Sequence, residues 1–300
     1  MSDDALAKAI AIQLRKTLVL GRNDQFSKTY ASAIGIVRHF LGTDFVEREM
    51  RAKADPIQFL GGVFARQGTP EQFNHMNRVC YLASYLFTLR KTTNFDVLIE
   101  RFLDRDVRAV YFDAKVAAYF VESGFEVAIR REIGVKGDDF DFEATRFDEV
   151  INVEVTGFTN ERFSPSNVSN TLGQKRKQLP ASRPAALFCV VPITWQRHYR
   201  DLPFGLGQVT YRFFASTRRI NYVVYILEDL TMVLGHAAIA EMIFTVPNSS
   251  ARHRSPRLPF LFEEDTHARG LVRRMTRDSR FVPEFDTRFF SFTDFANKTG

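Results

Sequence analysis

Two short stretches near the middle of the chain alternate polar and apolar residues with the period of a half-buried β-strand. In Asp139–Glu143 three acids alternate with two phenylalanines, and in Asn152–Thr156 polar residues alternate with valines. The link Arg146–Glu149 between them has about the length of a tight hairpin connection. The pattern therefore predicts two antiparallel strands, each with one polar and one apolar face.

A turn at the middle of this link places Asp141 directly opposite Glu154, and Asp139 opposite Thr156. Two carboxylates about 5 Å apart repel each other by roughly 3 kcal/mol at an effective dielectric constant near 20. A divalent cation between them would relieve this repulsion, as would protonation of one acid or contact with solvent. The hairpin alone is consistent with a metal site or with an ordinary solvated face.

The elements around the hairpin are predicted from apolar periodicity and from capping residues. In chain order they are a helix over Arg108–Ser123 that ends at Gly124, a strand over Phe125–Ile133, the hairpin, a helix from Ser164 to Pro180, and a buried strand over Ala185–Val191. The predicted order is helix, strand, strand, strand, helix, strand.

Residues 1–106 are predicted to be mainly helical, either as a separate domain or as a lid on the core. The helical candidates are Ala5–Leu20, Lys28–Leu41 and Glu71–Leu89. The core is assigned to residues 107–250, in which Asn221–Leu227 predicts a further strand, whereas Met232–Val246 fits a helix or a strand. Residues 251–300 are a basic C-terminal extension.

The order of elements over about Arg108–Val191 resembles the core of the PD-(D/E)XK nuclease superfamily. The resemblance implies an α/β fold with a restriction-endonuclease-like mixed sheet, preceded here by the helical N-terminal region. It also implies an active site on the second and third strands. The order of elements contributes more to this likeness than the motif does, because the motif is short and degenerate.

By this likeness, Asp141 corresponds to the motif aspartate, with Asp139 as the alternative, and Glu154 corresponds to the motif glutamate. Asp113 corresponds to the acid that some members carry on the first helix. The resemblance implies that these carboxylates, together with the Val155 carbonyl, hold Mg²⁺ or Mn²⁺.

The chain departs from the family at Thr156, where the motif lysine is expected. In the family, that lysine is thought to position or activate the attacking water and to stabilise the transition state, and threonine cannot supply its charge. Lys175 and Lys177 on the next predicted helix are the nearest replacements, and Gln174 lies where members often carry a polar residue. Either one of these lysines restores the charge, or catalysis has been lost.

Composition and charge favour a polyanionic partner without requiring one. The 300 residues contain 41 Lys and Arg against 35 Asp and Glu, a net charge of +6. The two cysteines form neither a disulfide framework nor a zinc pattern, and the sequence contains no nucleophile elbow, Walker lysine loop or H-E-x-x-H motif. We find no targeting segment and no membrane-spanning apolar run, so a cytoplasmic protein is expected.

Two basic stretches are candidates for contact with nucleic acid. Arg269, Arg273 and Arg277 have i, i+4, i+8 spacing, so one helical face would present them together to phosphates. Arg197 and Arg200 are interleaved with aromatic residues, a combination that suits base stacking and phosphate contact. Ordinary explanations are a solvated charged face for the first stretch and a polar rim for the second.

The leading hypothesis is a metal-dependent nuclease that hydrolyses phosphodiester bonds of nucleic acid, with DNA favoured over RNA. The alternative is a catalytically inactive nuclease fold that binds nucleic acid or a protein partner, which Thr156 favours. A third hypothesis is a structural interaction protein whose acidic face never binds metal.

Overall fold

A computed structural model describes residues 3–20, 25–51, 59–62, 69–233, 236–258 and 272–275. Its helices are α1 Asp3–Val19, α2 Gln25–Phe45, α3 Pro70–Leu89, α4 Phe95–Asp104, α5 Val107–Glu122, α6 Pro165–Lys175, α7 Ile193–His198 and α8 Leu202–Ala215, with a π-helical segment at Val46–Met50. Its strands are β1 Glu126–Ile129, β2 Phe142–Arg146, β3 Glu149–Gly157, β4 Ala185–Val191, β5 Tyr222–Val233, β6 His236–Pro247 and β7 Val272–Met275.

All of these strands belong to one mixed sheet, in which they lie side by side in chain order. The first three pair antiparallel, β4 and β5 continue in parallel, and β6 and the short β7 are antiparallel again. Each parallel connection is made by helices, which a parallel crossover requires. The chain is therefore a mixed α/β protein, and the predicted order from α5 to β4 is present.

The hairpin register predicted from the polar alternation is confirmed. Phe142 pairs with Val153, and Glu143 pairs with Asn152, so the two-residue turn is Phe147–Asp148. Phe147 has a φ of 54°, in the left-handed region that tight hairpin turns require. However, β2 begins only at Phe142, so the strand predicted over Asp139–Glu143 is too long at its N-terminal end.

The sheet separates two hydrophobic clusters, and β4 contributes to both because its residues alternate between the two faces. Ala186, Phe188 and Val190 belong to the first cluster, which also contains residues of the N-terminal helices and of α5. Leu187 and Cys189 belong to the second cluster, with residues of α6, α7 and α8. The central strand is buried on both faces, as its continuous apolar sequence predicts.

Several predicted boundaries agree with the structure and others shift. Helix α5 and strand β4 lie where predicted, and Gly124 ends α5 with a φ of 82°. Helix α6 ends at Lys175, five residues before Pro180, because a tight turn follows it. Of the ambiguous stretch Met232–Val246, the described residues are strand: Met232 and Val233 end β5, and β6 from His236 pairs along the length of β5.

The helix predicted for the C-terminal arginines is wrong around Arg273, which lies in β7 and pairs with Phe244 of β6. The edge of β6 offers unpaired backbone groups, and pairing with them favours the extended conformation over a helix. Arg269 and Arg277 lie outside the described residues. In the part of the chain that is described, no helix is long and apolar enough to cross a membrane.

Candidate active site

Asp141 lies immediately before β2, where the hairpin ladder ends. Its backbone N–H donates to the Val153 carbonyl at 3.1 Å. Its carboxylate accepts a hydrogen bond from the Val155 N–H at 2.7 Å. In a continued β-ladder, a backbone carbonyl of the neighbouring strand would accept this hydrogen bond. The Asp141 side chain is thereby held against the middle of β3, one residue from Glu154.

Arg101 of α4 is a buried cation that joins two of the predicted acids. Its Nη1 donates to Asp141 Oδ1 at 3.2 Å and lies 3.7 Å from Asp113 Oδ2. Its Nη2 donates to the Arg130 carbonyl at 2.6 Å, which fixes the guanidinium at the end of β1. Arg101 is not among the residues predicted from the sequence, although it lies on the apolar face of α4 with Val97 and Leu98, where an arginine needs a buried partner.

Glu154 of β3 is paired with Lys175 in the last turn of α6. The Lys175 Nζ donates to Glu154 Oε1 at 2.5 Å. Val168 and Leu172 anchor α6 in the second hydrophobic cluster, and the helical spacing from Leu172 turns Lys175 toward the sheet. The Glu154 side chain is 3% exposed and that of Lys175 is 28% exposed, so the lysine reaches from the surface to a buried carboxylate.

Burial and mutual repulsion disturb the protonation of this cluster. Burial, followed by the charge of Asp141, raises the pKa of Glu154 and that of Asp113 well above their usual values. Burial also raises the pKa of Asp141, against the opposing effects of Arg101 and of the Val155 N–H. Burial alone would lower the pKa of Lys175, but the charge and hydrogen bond of Glu154 outweigh this effect and raise it. Burial is therefore the main cause that favours the neutral forms of these three acids.

The structure brings together five of the predicted site residues. The assembled ones are Asp113, Asp141, Glu154, Val155 and Lys175. Asp139 is not among them, because its carboxylate accepts the Ile133 N–H at 3.1 Å within the β1–β2 loop. Of the two aspartates, Asp141 is therefore the one that lies beside Glu154.

Lys177 and Gln174 are exposed on the outer side of the segment that carries Lys175. Among the described residues, neither side chain forms a hydrogen bond or ion pair with the carboxylates of the site. Thr156 is half-buried on the Glu154 face of β3 and pairs with Cys189 of β4. Of the two candidate lysines, Lys175 is therefore the one that reaches Glu154.

The aromatic and basic stretch after β4 is only partly available for binding. Arg197 and Arg200 are exposed. Trp195 is fully buried, and its indole N–H donates to the Asn160 carbonyl at 2.6 Å. Trp195, an aromatic residue of this stretch, is therefore not available for base stacking, because its ring completes the second hydrophobic cluster.

The residues fit a divalent cation by charge, although they do not form a preassembled metal centre. Within the described ranges, no group of three or more His, Cys, Asp or Glu side chains is arranged to hold a metal ion. However, three carboxylates share the site with two cations, so the ionised cluster carries one excess negative charge. Carboxylate and carbonyl oxygens are the ligands that Mg²⁺ prefers, and a divalent ion would reverse this excess.

A second buried charged cluster lies between α5 and the β5–β6 pair. Lys115 forms ion pairs with Glu228 and Glu241, which are cross-strand partners, and Arg78 binds Glu228 at 3.0 Å. Burial would raise the pKa of Glu228, but Lys115 and Arg78 outweigh it and lower the pKa. Two cations balance two carboxylates in this cluster, which is the pattern of a structural network.

The chain was compared with protein-family models and with curated proteins, and neither comparison gave a match. The Asp141–Glu154–Lys175 site and its surroundings are therefore the main indication of function.

Proposed function

We propose that this chain is a metal-dependent nuclease of the PD-(D/E)XK type. In this proposal, Asp141, Glu154 and the Val155 carbonyl hold Mg²⁺ or Mn²⁺, and Lys175 supplies the charge that Thr156 lacks. The observation that carries the proposal is the contact between Lys175 and Glu154, which brings a lysine from the following helix to the motif glutamate. The order α5-β1-β2-β3-α6-β4, with β4 parallel to β3, supports the expected fold.

Charge balance supports phosphodiester chemistry at this site. With its three carboxylates ionised, the cluster would change from an excess charge of about −1 to about +1 on binding a divalent ion, which suits a phosphate that carries one negative charge. A bound metal ion would supply Lewis acidity and would lower the pKa of a bound water. The same charge reversal would lower the pKa values of Asp141 and Glu154 toward their ordinary range.

Each protein residue has a separate task in this proposal. The Val155 N–H and Arg101 fix the two oxygens of Asp141, so the carboxylate has one orientation. Lys175 is partly exposed, so its ammonium group can contact a phosphate oxygen as negative charge develops there. Asp113 acts indirectly, because it helps to hold Arg101 in place.

A specific observation favours a second candidate, an inactive nuclease fold that binds nucleic acid or a protein. Each motif carboxylate is already paired with a protein cation, Asp141 with Arg101 and Glu154 with Lys175. Internal ion pairs of this kind can replace a metal ion as the source of positive charge. This candidate requires that divalent ions do not displace those pairs.

Cleavage separates the two candidates. Labelled single-stranded and double-stranded DNA and RNA are incubated with Mg²⁺ or Mn²⁺, with wild type, Glu154→Ala and Glu143→Ala compared. Glu143 is the matched control, because it lies on β2 and its partner is Arg183 on the surface. The proposal expects metal-dependent cleavage that is lost only in Glu154→Ala. Absence of cleavage on all four substrates, or cleavage that survives Glu154→Ala, would contradict it.

A further inference from the structure

Helix α8 buries one face in the second hydrophobic cluster and exposes a stripe on the other. The exposed residues include Phe204, Gln208, Tyr211 and Arg212, with the spacing of one helical face. The Phe204 side chain is 62% exposed and that of Tyr211 is 48% exposed. These two aromatic rings lie about 10.5 Å apart along the helix, because a residue rises 1.5 Å.

A third aromatic ring is fixed beside the start of this stripe. Tyr199 is 39% exposed, and its ring centroid lies 4.9 Å from that of Phe163. The ring also lies directly over Gly205, where a Cβ atom would come within 2.9 Å of it. The glycine therefore allows the Tyr199 ring to pack on α8 at the position that follows Phe204.

The polar residues around these rings are mainly basic. Arg197, Arg200 and Arg212 are exposed, with Asp201 as an exposed acid among them. Exposed aromatic rings in a basic surrounding favour single-stranded nucleic acid, because unpaired bases stack on the rings while arginines attract the backbone. In a duplex the bases stack on one another, so their faces are not available to stack on the aromatic rings.

The end of α8 adjoins the end of α6 that carries Lys175. Phe163, just before α6, contacts Tyr199, which follows α7 and whose ring lies over Gly205 in the first turn of α8. At the other end, Arg176 of the α6 terminus donates to the Ser216 carbonyl at the end of α8 at 3.3 Å. The two helices therefore run side by side in the same direction. Lys175 lies at the end of α6 that adjoins the end of the stripe.

We propose that Tyr199, Phe204 and Tyr211 form a stacking surface for single-stranded nucleic acid. This surface guides the strand toward Lys175 and Glu154. This inference rests on the proposed nuclease function and names its substrate class. Binding at the stripe needs no metal, because the rings and arginines that form it are separate from the carboxylates.

The test measures binding of a fluorescein-labelled 15-nucleotide single-stranded DNA, and of the matching duplex, by anisotropy in EDTA. The variants are the double substitution Phe204→Ala with Tyr211→Ala, the conservative Phe204→Trp, and Phe147→Ala as control. Phe147 is 86% exposed at the hairpin turn, so its substitution removes a similar ring from another element. Stacking contributes about 1–3 kcal/mol per base, so the double variant is expected to bind at least about 25-fold more weakly.

Phe204→Trp and Phe147→Ala are expected to bind as wild type does, and the duplex is expected to bind more weakly than the single strand. Equal affinity of the double variant and the Phe147→Ala control would overturn the inference, as would a preference for the duplex. A dimer in light scattering that the double variant abolishes, without any effect on DNA binding, would overturn it in favour of a contact between copies. If the stacking effect is found but no substrate is cleaved with metal, the binding surface stands and the nuclease proposal fails.

Discussion

Lys175 and Glu154 form an ion pair between α6 and β3, with the lysine Nζ 2.5 Å from the carboxylate Oε1. The lysine follows the glutamate by 21 positions, whereas the expected motif lysine would be at position 156. Helix α6 therefore supplies, through Lys175, the positive charge that β3 lacks at Thr156. The same carboxylate can therefore meet a lysine through tertiary packing instead of through the local spacing of a strand.

Arg101 is predicted to be needed for stability because it neutralises two buried acids. In Arg101→Met, Asp113 and Asp141 would face each other without a cation, which we expect to lower the free energy of unfolding by about 3–5 kcal/mol. Chemical denaturation at neutral pH without divalent ions measures this loss. Adding Asp113→Asn to Arg101→Met should recover part of it, since one buried charge is then absent.

The control for Arg101 is Arg105→Met, which removes an exposed pair with Glu132 that has an N···O distance of 2.6 Å. Exposed pairs contribute about 0–1 kcal/mol, so this variant should remain close to wild type. An Arg101→Met protein as stable as Arg105→Met would show that the buried cation is not required.

Lys115 is predicted to hold the β5–β6 pair together from the side of α5. In Lys115→Met, the cross-strand carboxylates Glu228 and Glu241 lose their shared cation, and we expect a loss of about 3–5 kcal/mol in the free energy of unfolding. Combining it with Glu241→Gln should restore part of the stability. Lys91→Met, which affects an exposed pair with Asp3, is the control. Denaturation curves that coincide for the two lysine variants would contradict this role.

His75 is predicted to make the protein less stable in mild acid. Its Nδ1 contacts the Leu60 carbonyl at 2.6 Å and must donate, so in the neutral ring Nε2 accepts from the Tyr30 hydroxyl at 2.5 Å. Burial lowers the pKa of His75 below its ordinary value of 6.5, against the opposing effect of the Leu60 contact. The unfolded chain therefore takes up a proton before the folded chain does.

The stability that the neutral His75 contributes is complete above about pH 6.5, and it is lost as the pH falls through the lowered pKa. Each unit of lowering corresponds to about 1.4 kcal/mol. Free energies of unfolding measured from pH 7.5 to 5 should fall less steeply in His75→Gln than in wild type. His198→Gln, a change in an exposed histidine of α7, is the control. Identical slopes for wild type and His75→Gln would contradict the prediction.

The parts of the fold that the sequence predicts correctly are those with a local pattern of polar and apolar residues. The period-2 alternation and the two-residue turn define the pairing of β2 with β3, because a slip by one residue would move the polar and the apolar residues of a strand to opposite faces of the sheet. The continuous apolar sequence of β4 likewise predicts a strand that is buried on both faces of the sheet. These constraints identified Asp141 and Glu154 as neighbours.

The sequence does not predict side-chain contacts and burial that depend on elements distant in the chain. Arg101 lies 40 positions before Asp141, and nothing in its neighbourhood specifies that contact. The polar face of β3 was expected to be solvated or bound to metal, yet Asn152 and Glu154 are buried because α6 and its neighbours cover that face. Trp195 and Tyr199 share one aromatic and basic stretch, but only tertiary packing decides that the first is buried and the second is partly exposed.

The most direct test of the central claim compares nucleic-acid cleavage in the presence of Mg²⁺ or Mn²⁺ by wild type, Lys175→Met, Lys177→Met, and Lys175→Met combined with Thr156→Lys. Lys177 is the matched control, because it is an exposed lysine two residues away. We expect Lys175→Met to lose at least about 100-fold in rate. We expect Lys177→Met to retain the wild-type rate, and Thr156→Lys to restore part of the activity lost with Lys175. Equal rates in wild type and Lys175→Met, or equal losses in the two lysine variants, would contradict the assignment of Lys175.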